Sequence, residues 1–327
     1  MKPHIHLTDS ISHNIITMKK YQLLIILLTL SWVSCAQRDV APNKNADSAA
    51  LLSASWQVDS IDGMVLKTAR FAKQELFKSN QYIALLEVTP LPYQRGLAFS
   101  YRPERTITSQ QALEDGAIAA VNGSFFDMGQ HNPICYLRIN GSNISPNIPM
   151  KEDTVNRKYY QSGTIVINDD GSITILPTQR PIHWEDSALK AYHDIMTAGP
   201  LLIYHDSLLP MRQDKQFVTQ RHNRTALGIK EDGTILLVTV DGRAKEAAGM
   251  SLEELQKTLL WLGCKDAINL DGGGSTTLWV KGQPQGGIIN HPCDNGRFDK
   301  NGERTVSNCL LVTSRLTQRH HAREQTN

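Results

Sequence analysis

Residues 267–277 read Ala267-Ile268-Asn269-Leu270-Asp271-Gly272-Gly273-Gly274-Ser275-Thr276-Thr277. The first four residues form a short buried strand. It runs directly into a carboxylate, three glycines and three hydroxyls. A plain turn is served by one or two glycines, so this run exceeds what a turn requires. Glycines strip side chains from the backbone and let a ligand approach the main chain, with Asp271 held at a rigid strand end. Immediately upstream, Ser251 and Glu254 form a capping box. Leu252, Leu255, Leu259 and Leu262 make one apolar stripe, and Gly263 closes the helix. Before that helix lies the apolar run Ile235–Val240, ending in Asp241-Gly242-Arg243. The order predicts a βαβ-like unit over residues 235–270. If its strands run the same way, Asp241 and Asp271 emerge at one sheet edge.

Working outward, Ala117–Val121 breaks into Asn122-Gly123-Ser124-Phe125-Phe126-Asp127, a third strand end followed by glycine and an acid. Further candidate strands are Tyr82–Val88, Thr164–Ile167, Ser172–Ile175, Thr225–Ile229, Thr277–Val280 and Ser307–Val312. A second helix is expected over Thr108–Gly116. Strands outnumber helices and no internal repeat stands out. The expected class is α+β: a strand-rich mixed sheet domain with a few helices.

At 327 residues, with 40% hydrophobic and 20% charged residues, the chain has the composition of a soluble globular protein. A formal charge of +2 with scattered basic residues offers no electrostatic case for nucleic acid. Met18-Lys19-Lys20, the apolar run Tyr21–Val33 and Ser34-Cys35 have the parts of an export signal. The cysteine placement resembles a bacterial lipoprotein box, which makes Cys35 the expected lipidation site. Residues 1–17 are read as an upstream extension, 18–35 as the export signal and 36–54 as a flexible tether. Residues 55–114 are read as N-terminal strands, of the same domain or of a small accessory piece. Residues 115–313 form the main domain and 314–327 a polar tail. The expected location is the bacterial cell envelope, lipid-anchored in the periplasm or at the cell surface. The remaining cysteines, Cys135, Cys264, Cys293 and Cys309, leave room for one or two disulfides in an oxidising compartment. Cys293 and Cys309 are near enough in sequence to staple a loop.

Five motifs carry the chemistry. They are Val121–Asp127, Thr197-Ala198-Gly199-Pro200-Leu201-Leu202, Arg221-His222-Asn223-Arg224-Thr225-Ala226-Leu227-Gly228, Val240–Arg243, and the Asp271 loop with Glu303-Arg304 behind it. In this order they resemble the phosphodiester glycosidases, the family of the lysosomal uncovering enzyme, over roughly Asp115 to Val312. Family members often carry proline where Asn223 stands, and a polar insertion covers residues 140–160.

The resemblance implies cleavage of a sugar–phosphate diester at the glycosidic C1–O bond, leaving a free sugar and a phosphomonoester. Glycoside cleavage uses two carboxyl groups around an oxocarbenium-like ring. Asp271, Asp241 and Glu303 are the candidates, with Asp271 nearest the anomeric carbon. A phosphate leaving group needs its charge held more than it needs a proton. Arg224 and Arg243 are the candidate guanidinium groups. The N–H groups of Gly272, Gly273 and Gly274 could form an anion nest, and Ser275, Thr276 and Asn122 could read sugar or phosphate oxygens. Glu303 and Arg304 are adjacent, so on a strand only one faces the pocket.

No cofactor is required by this chemistry and no metal-ligand set is assigned, although loop carboxylates and carbonyls leave room for a structural calcium. The expected partners are a glycan or sugar-phosphodiester and, through the anchor, a membrane. Two other readings keep the same fold: a non-catalytic carbohydrate-binding envelope lipoprotein, and a phosphodiesterase cutting the P–O bond.

Overall fold

The structure, a computed structural model, describes residues 46–89, 95–145, 161–168, 171–178 and 189–314. The segment read as an export signal, Cys35 and all but the first residue of the tail read over 314–327 lie outside the described residues, as do most of the 140–160 insertion and all but the last part of the segment read as a tether. Among the described residues no helix is long and apolar enough to cross a membrane.

In chain order the elements are α1 (Ala46–Leu52), β1 (Gln57–Ile61), β2 (Met64–Leu76), β3 (Ser79–Val88), β4 (Arg95–Ile107), α2 (Thr108–Glu114) and β5 (Ala119–Asn122). Then come β6 (Leu137–Ile139), β7 (Ser142–Ser145), β8 (Gly163–Ile167), β9 (Ile173–Pro177), β10 (Asp194–Ala198), β11 (Leu201–Tyr204), β12 (Ser207–Leu208) and α3 (Gln216–Thr219). Last are β13 (Arg224–Lys230), β14 (Ile235–Val240), α4 (Leu252–Trp261), β15 (Cys264–Asn269), β16 (Leu278–Val280) and β17 (Thr305–Ser314).

These strands form three sheets. The largest has the order β1-β2-β3-β14-β13-β15-β11-β12, a second β7-β6-β10-β8-β9 and a third β16-β5-β17-β4. The α+β class and the strand-rich architecture hold. The ladders between described strands are antiparallel. No parallel pair occurs among the described strands, so each sheet is antiparallel and not mixed in strand direction. β14 and β15 run the same way on either side of β13, each antiparallel to it. The predicted strand–helix–strand unit is therefore split by β13, yet it still delivers Asp241 and Asp271 to one sheet edge. Arg224 begins the antiparallel β13 opposite Val240, so it starts at that same edge.

Alternation along the central strands explains the layers. On β14, Ile235 and Leu237 join a core that also takes Ile165, Ile175 and Met196 from the second sheet and Val121, Leu278 and Leu310 from the third. Leu236, Val238 and Val240 face the other way, onto Leu252, Leu255 and Leu259 of α4. A strand buried on both faces loses the polar half of the period-two pattern and reads as one apolar run. The capping box forms as expected: Ser251 Oγ accepts from Glu254 N at 3.1 Å and Glu254 Oε2 accepts from Ser251 N at 2.9 Å.

Two differences from expectation stand out, and one open alternative is decided. The tether read over 36–54 ends in helix α1, where Leu51 is fully buried and Asp47 accepts a hydrogen bond from Phe77 N. Seven residues, about two helical turns, are too short for a periodic signal. Residues 55–114 do not stand apart. β3 hydrogen-bonds along β14 and β4 along β17, inside the same sheets as the motif-bearing strands. Finally, Cys135, Cys264, Cys293 and Cys309 all carry free thiols, so the Cys293–Cys309 staple is not formed. Burial pushes the Cys264 thiol up to about 12, leaving it inert.

Candidate active site

Asp271 leaves the end of β15 with its backbone N–H donating to Gly123 O at 3.1 Å. The Asn122 side chain donates to the Asp271 carbonyl at 2.7 Å, and its Oδ1 accepts from Thr225 Oγ1 and Thr277 N. Asn122 is fully buried. It therefore ties its own strand end to those at Thr225, Asp271 and Thr277; its amide is buried and turned to these partners, not to the sugar or phosphate oxygens expected. Gly123 is fixed by the same crossing. A Cβ there would lie 2.0 Å from Asn308 Oδ1.

The Asp271 carboxyl accepts from Gly272 N at 2.9 Å, in a residue that is half-buried as a whole. Burial pushes its pKa up to about 6, against the opposing pull of Ser275, Gly272 N–H, Arg304 and Arg243. A carboxyl with two guanidinium groups nearby and a pKa still raised is held in a dry setting. Ser275 and Thr276 are fully buried behind it; the Ser275 hydroxyl acts on the Asp271 carboxyl, and the Thr276 hydroxyl has no hydrogen-bond partner among the described residues.

The glycine run does something different from the nest expected of it. Gly272 N–H goes to Asp271 and Gly273 N–H to Asn223 O at 2.9 Å, so two of the three amides are engaged internally. What the run supplies is room. Gly273 has φ +62, and a Cβ on it would lie 2.8 Å from an Arg243 guanidinium nitrogen. A Cβ on Gly274 would lie 2.4 Å from both Arg304 and Asp294. The absence of side chains thus lets two guanidinium groups lie flat against the loop that follows Asp271. Arg243 is exposed, whereas Arg304 donates to Asp294 Oδ1 through Nε at 2.8 Å.

Asp241 is fully buried at the end of β14. Its Oδ1 accepts from Asn290 Nδ2 and from His291 N, each at 3.0 Å, and its Oδ2 lies 2.7 Å from His291 Nδ1. The His291 ring stacks on Phe298 at 3.9 Å and meets the edge of Tyr82 at 4.7 Å. Asp241 therefore orients a histidine and is not itself presented to a ligand. His291 had no motif around it, because its partner lies 50 residues away in sequence. Only the pairing of His-Pro-Cys-Asp with the Asp271 loop downstream of one helix could have drawn attention to it.

Two expected residues are used structurally. Glu303 Oε1 accepts from Ser109 N at 3.0 Å and Oε2 from Ser109 Oγ at 2.5 Å, so it caps the start of α2. Burial raises its pKa. It is the alternating neighbour, Arg304, that approaches Asp271. Arg224 is 1% exposed, and its nitrogens donate to the carbonyls of Met250, Phe217 and Gln220 at 2.8–3.0 Å. It braces the strand end and is not presented to a phosphate.

Residues 290–304 close the site. Cys293 lies between the groups, its thiol held up by burial and acted on by Arg243, Arg304 and Asp241. It sits 3.2 Å from the side-chain amide of Asn223. Arg243 thus acts on both Asp271 and Cys293, and the charge of Asp241 is felt at Cys293 as well.

A family model described as phosphodiester glycosidase matches residues 115–313. The chain is similar to N-acetylglucosamine-1-phosphodiester alpha-N-acetylglucosaminidase of Bos taurus, with 26% identity over 197 residues, or 58% of this chain and 36% of the bovine protein. It is also 40% identical over 63 residues to the SPbeta prophage-derived protein YomE of Bacillus subtilis, covering 19% of this chain and 10% of that one. The matched stretches therefore span about a third or less of these relatives' lengths. Among solved structures, the fold is like that of the zebrafish N-acetylglucosamine-1-phosphodiester alpha-N-acetylglucosaminidase catalytic domain, auto-inhibited by its pro-peptide. That match has a TM-score of 0.58 at 17% identity and covers 83% of this chain and 94% of that one.

Proposed function

The chain belongs to the phosphodiester glycosidase family, and from that premise we propose that it hydrolyses the glycosidic C1–O bond of a sugar-1-phosphodiester, releasing a free sugar and a phosphomonoester. The observation that carries this reading is the Asp271 carboxyl, with a pKa raised to about 6 and Arg243 and Arg304 close by. A carboxyl titrating near neutrality suits proton transfer at physiological pH. Guanidinium groups suit an anionic leaving group.

In this reading Asp271 is ionised in the reactive form. It steadies the positive charge growing on the sugar ring and accepts a proton from the incoming water. The water oxygen bonds to C1 as the C1–O bond breaks, and the electron pair leaves with the phosphate. Arg243, exposed and lying over Gly273, holds the departing charge. Arg304, paired with Asp294, adds to the positive field. His291, oriented by Asp241, is the second proton-handling group. Asp241 acts through it as a positioning residue.

The decisive experiment is hydrolysis of a panel of sugar-1-phosphodiesters in heavy-oxygen water. Label in the free sugar supports C1–O cleavage. Label in the phosphate product would show P–O cleavage, and absence of turnover across the panel would favour a binding protein. We also propose export and anchoring through Cys35, on the strength of residues 18–35. N-terminal mass spectrometry of the secreted or membrane-associated protein tests this.

A further inference from the structure

A cavity of about 300 Å³ lies between strands β1–β3 and residues 283–289, outside the groups described above. It is at the lower end of the size range of small-molecule pockets. Its floor is apolar: Leu66 and Ile288 are each 5% exposed. Its rim is polar, with Gln57, Asp59 and Gln283. Gln283 Nε2 donates to Asp59 Oδ2 at 3.1 Å and so clips the 283–289 segment to the edge strand β1.

The fourth side is shared with the active site. Tyr82 lines the cavity and also packs edge-on against His291, with ring centres 4.7 Å apart. Lys300 lines it too, donates to the Ile289 carbonyl and feels the charge of Asp241.

The chemistry of this lining selects one ligand class. One acid and one ammonium leave no net charge to attract a phosphate. Both are already engaged, Asp59 by Gln283 and Lys300 by a carbonyl. What remains is an apolar floor beneath the amides of Gln57 and Gln285 and the hydroxyls of Thr68 and Tyr82. That matches a pyranose ring, with its C–H face and its circumference of hydroxyls. We propose that this cavity is a subsite for a neutral sugar ring of the same substrate, beyond the sugar whose bond is cut. Its link to catalysis rests on the glycosidase reading; its affinity for sugar does not.

The test is therefore binding of compounds that contain no phosphodiester. Methyl α-N-acetylglucosaminide, methyl α-glucoside and methyl α-galactoside are titrated into the full chain and followed by calorimetry or ligand-observed NMR. Gln57→Trp places an indole in the cavity from an exposed edge strand, and Gln283→Ala removes the clip, both at positions where folding is checked by melting temperature. The expected result is binding of at least one glycoside, weakened about tenfold or more by Gln57→Trp and measurably by Gln283→Ala. Failure of all three glycosides to bind, or equal binding by wild type and Gln57→Trp, overturns the proposal. Neither result depends on turnover, so loss of the catalytic reading is recognised separately in the hydrolysis panel.

Discussion

The carboxylate of Asp241 and the ring of His291 meet at 2.7 Å, with Asp241 wholly buried and also accepting the backbone N–H of residue 291. The pair fixes both the position of the loop and the orientation of the imidazole. Replacing Asp241 by Asn sets an amide N–H against donors and leaves them unmatched. We expect Asp241→Asn to lower kcat by roughly 100-fold or more and to destabilise the fold by about 1–3 kcal/mol. His291→Ala should lower kcat comparably with a smaller loss of stability. Equal kcat in wild type and His291→Ala would remove the pair from the mechanism. Steady-state kinetics with thermal melts check both.

Asp271→Asn separates function from stability. A carboxyl moved from 3.8 to about 6 binds protons more tightly in the folded than in the unfolded chain. Stability therefore falls as pH rises through that window, by up to about 3 kcal/mol in all. Removing the charge should abolish hydrolysis and raise the melting temperature at pH 7, with little gain at pH 4. A variant that is inactive but no more stable at pH 7 would deny the buried carboxylate this cost. Calorimetry across pH measures it.

The rate should follow the same group. If Asp271 works as a carboxylate, kcat/KM declines as pH falls below about 6. Arg243 lowers the Asp271 pKa, so Arg243→Ala should shift this acid limb to higher pH. It should also raise KM for phosphodiesters by roughly 10–100-fold, the scale of a lost charged hydrogen bond. An unmoved limb would separate the two residues. pH–rate profiles of the two proteins test this.

Glu303→Gln should matter only to folding. Its carboxylate holds the N–H and hydroxyl of Ser109 at the start of α2. Loss of a helix cap costs about 0.5–2 kcal/mol, and kcat should stay within a few-fold of wild type. A large fall in kcat with unchanged melting would return Glu303 to the catalytic group.

Much of the fold could be read directly because its central strands are buried on both faces. Ile235–Val240 was bounded to the residue, and the Ser251–Glu254 box fixed the start of α4. Strands such as β1 were missed because they are exposed and carry no apolar period. In the site, Asp271 and Arg243 were legible from glycine spacing at strand ends. Arg224, Glu303 and Asn122 carried equally good motif positions, but their roles were decided by distant partners: three carbonyls, Ser109, and the strand ends at Thr225 and Thr277. A motif states which residue stands at a place, while the hydrogen-bond partner states whether that residue is free to act. His291 failed the first test and met the second.

The insertion of β3 and β4 among the motif-bearing strands bears on how the protein can be handled. Tyr82 accepts the Asp241 backbone N–H, β3 covers one side of β14, and β4 covers one side of β17. A recombinant fragment trimmed to begin at residue 115 would bare two long rows of unpaired backbone groups and invite intermolecular strand pairing. Soluble material should require a start before α1, at or ahead of residue 46.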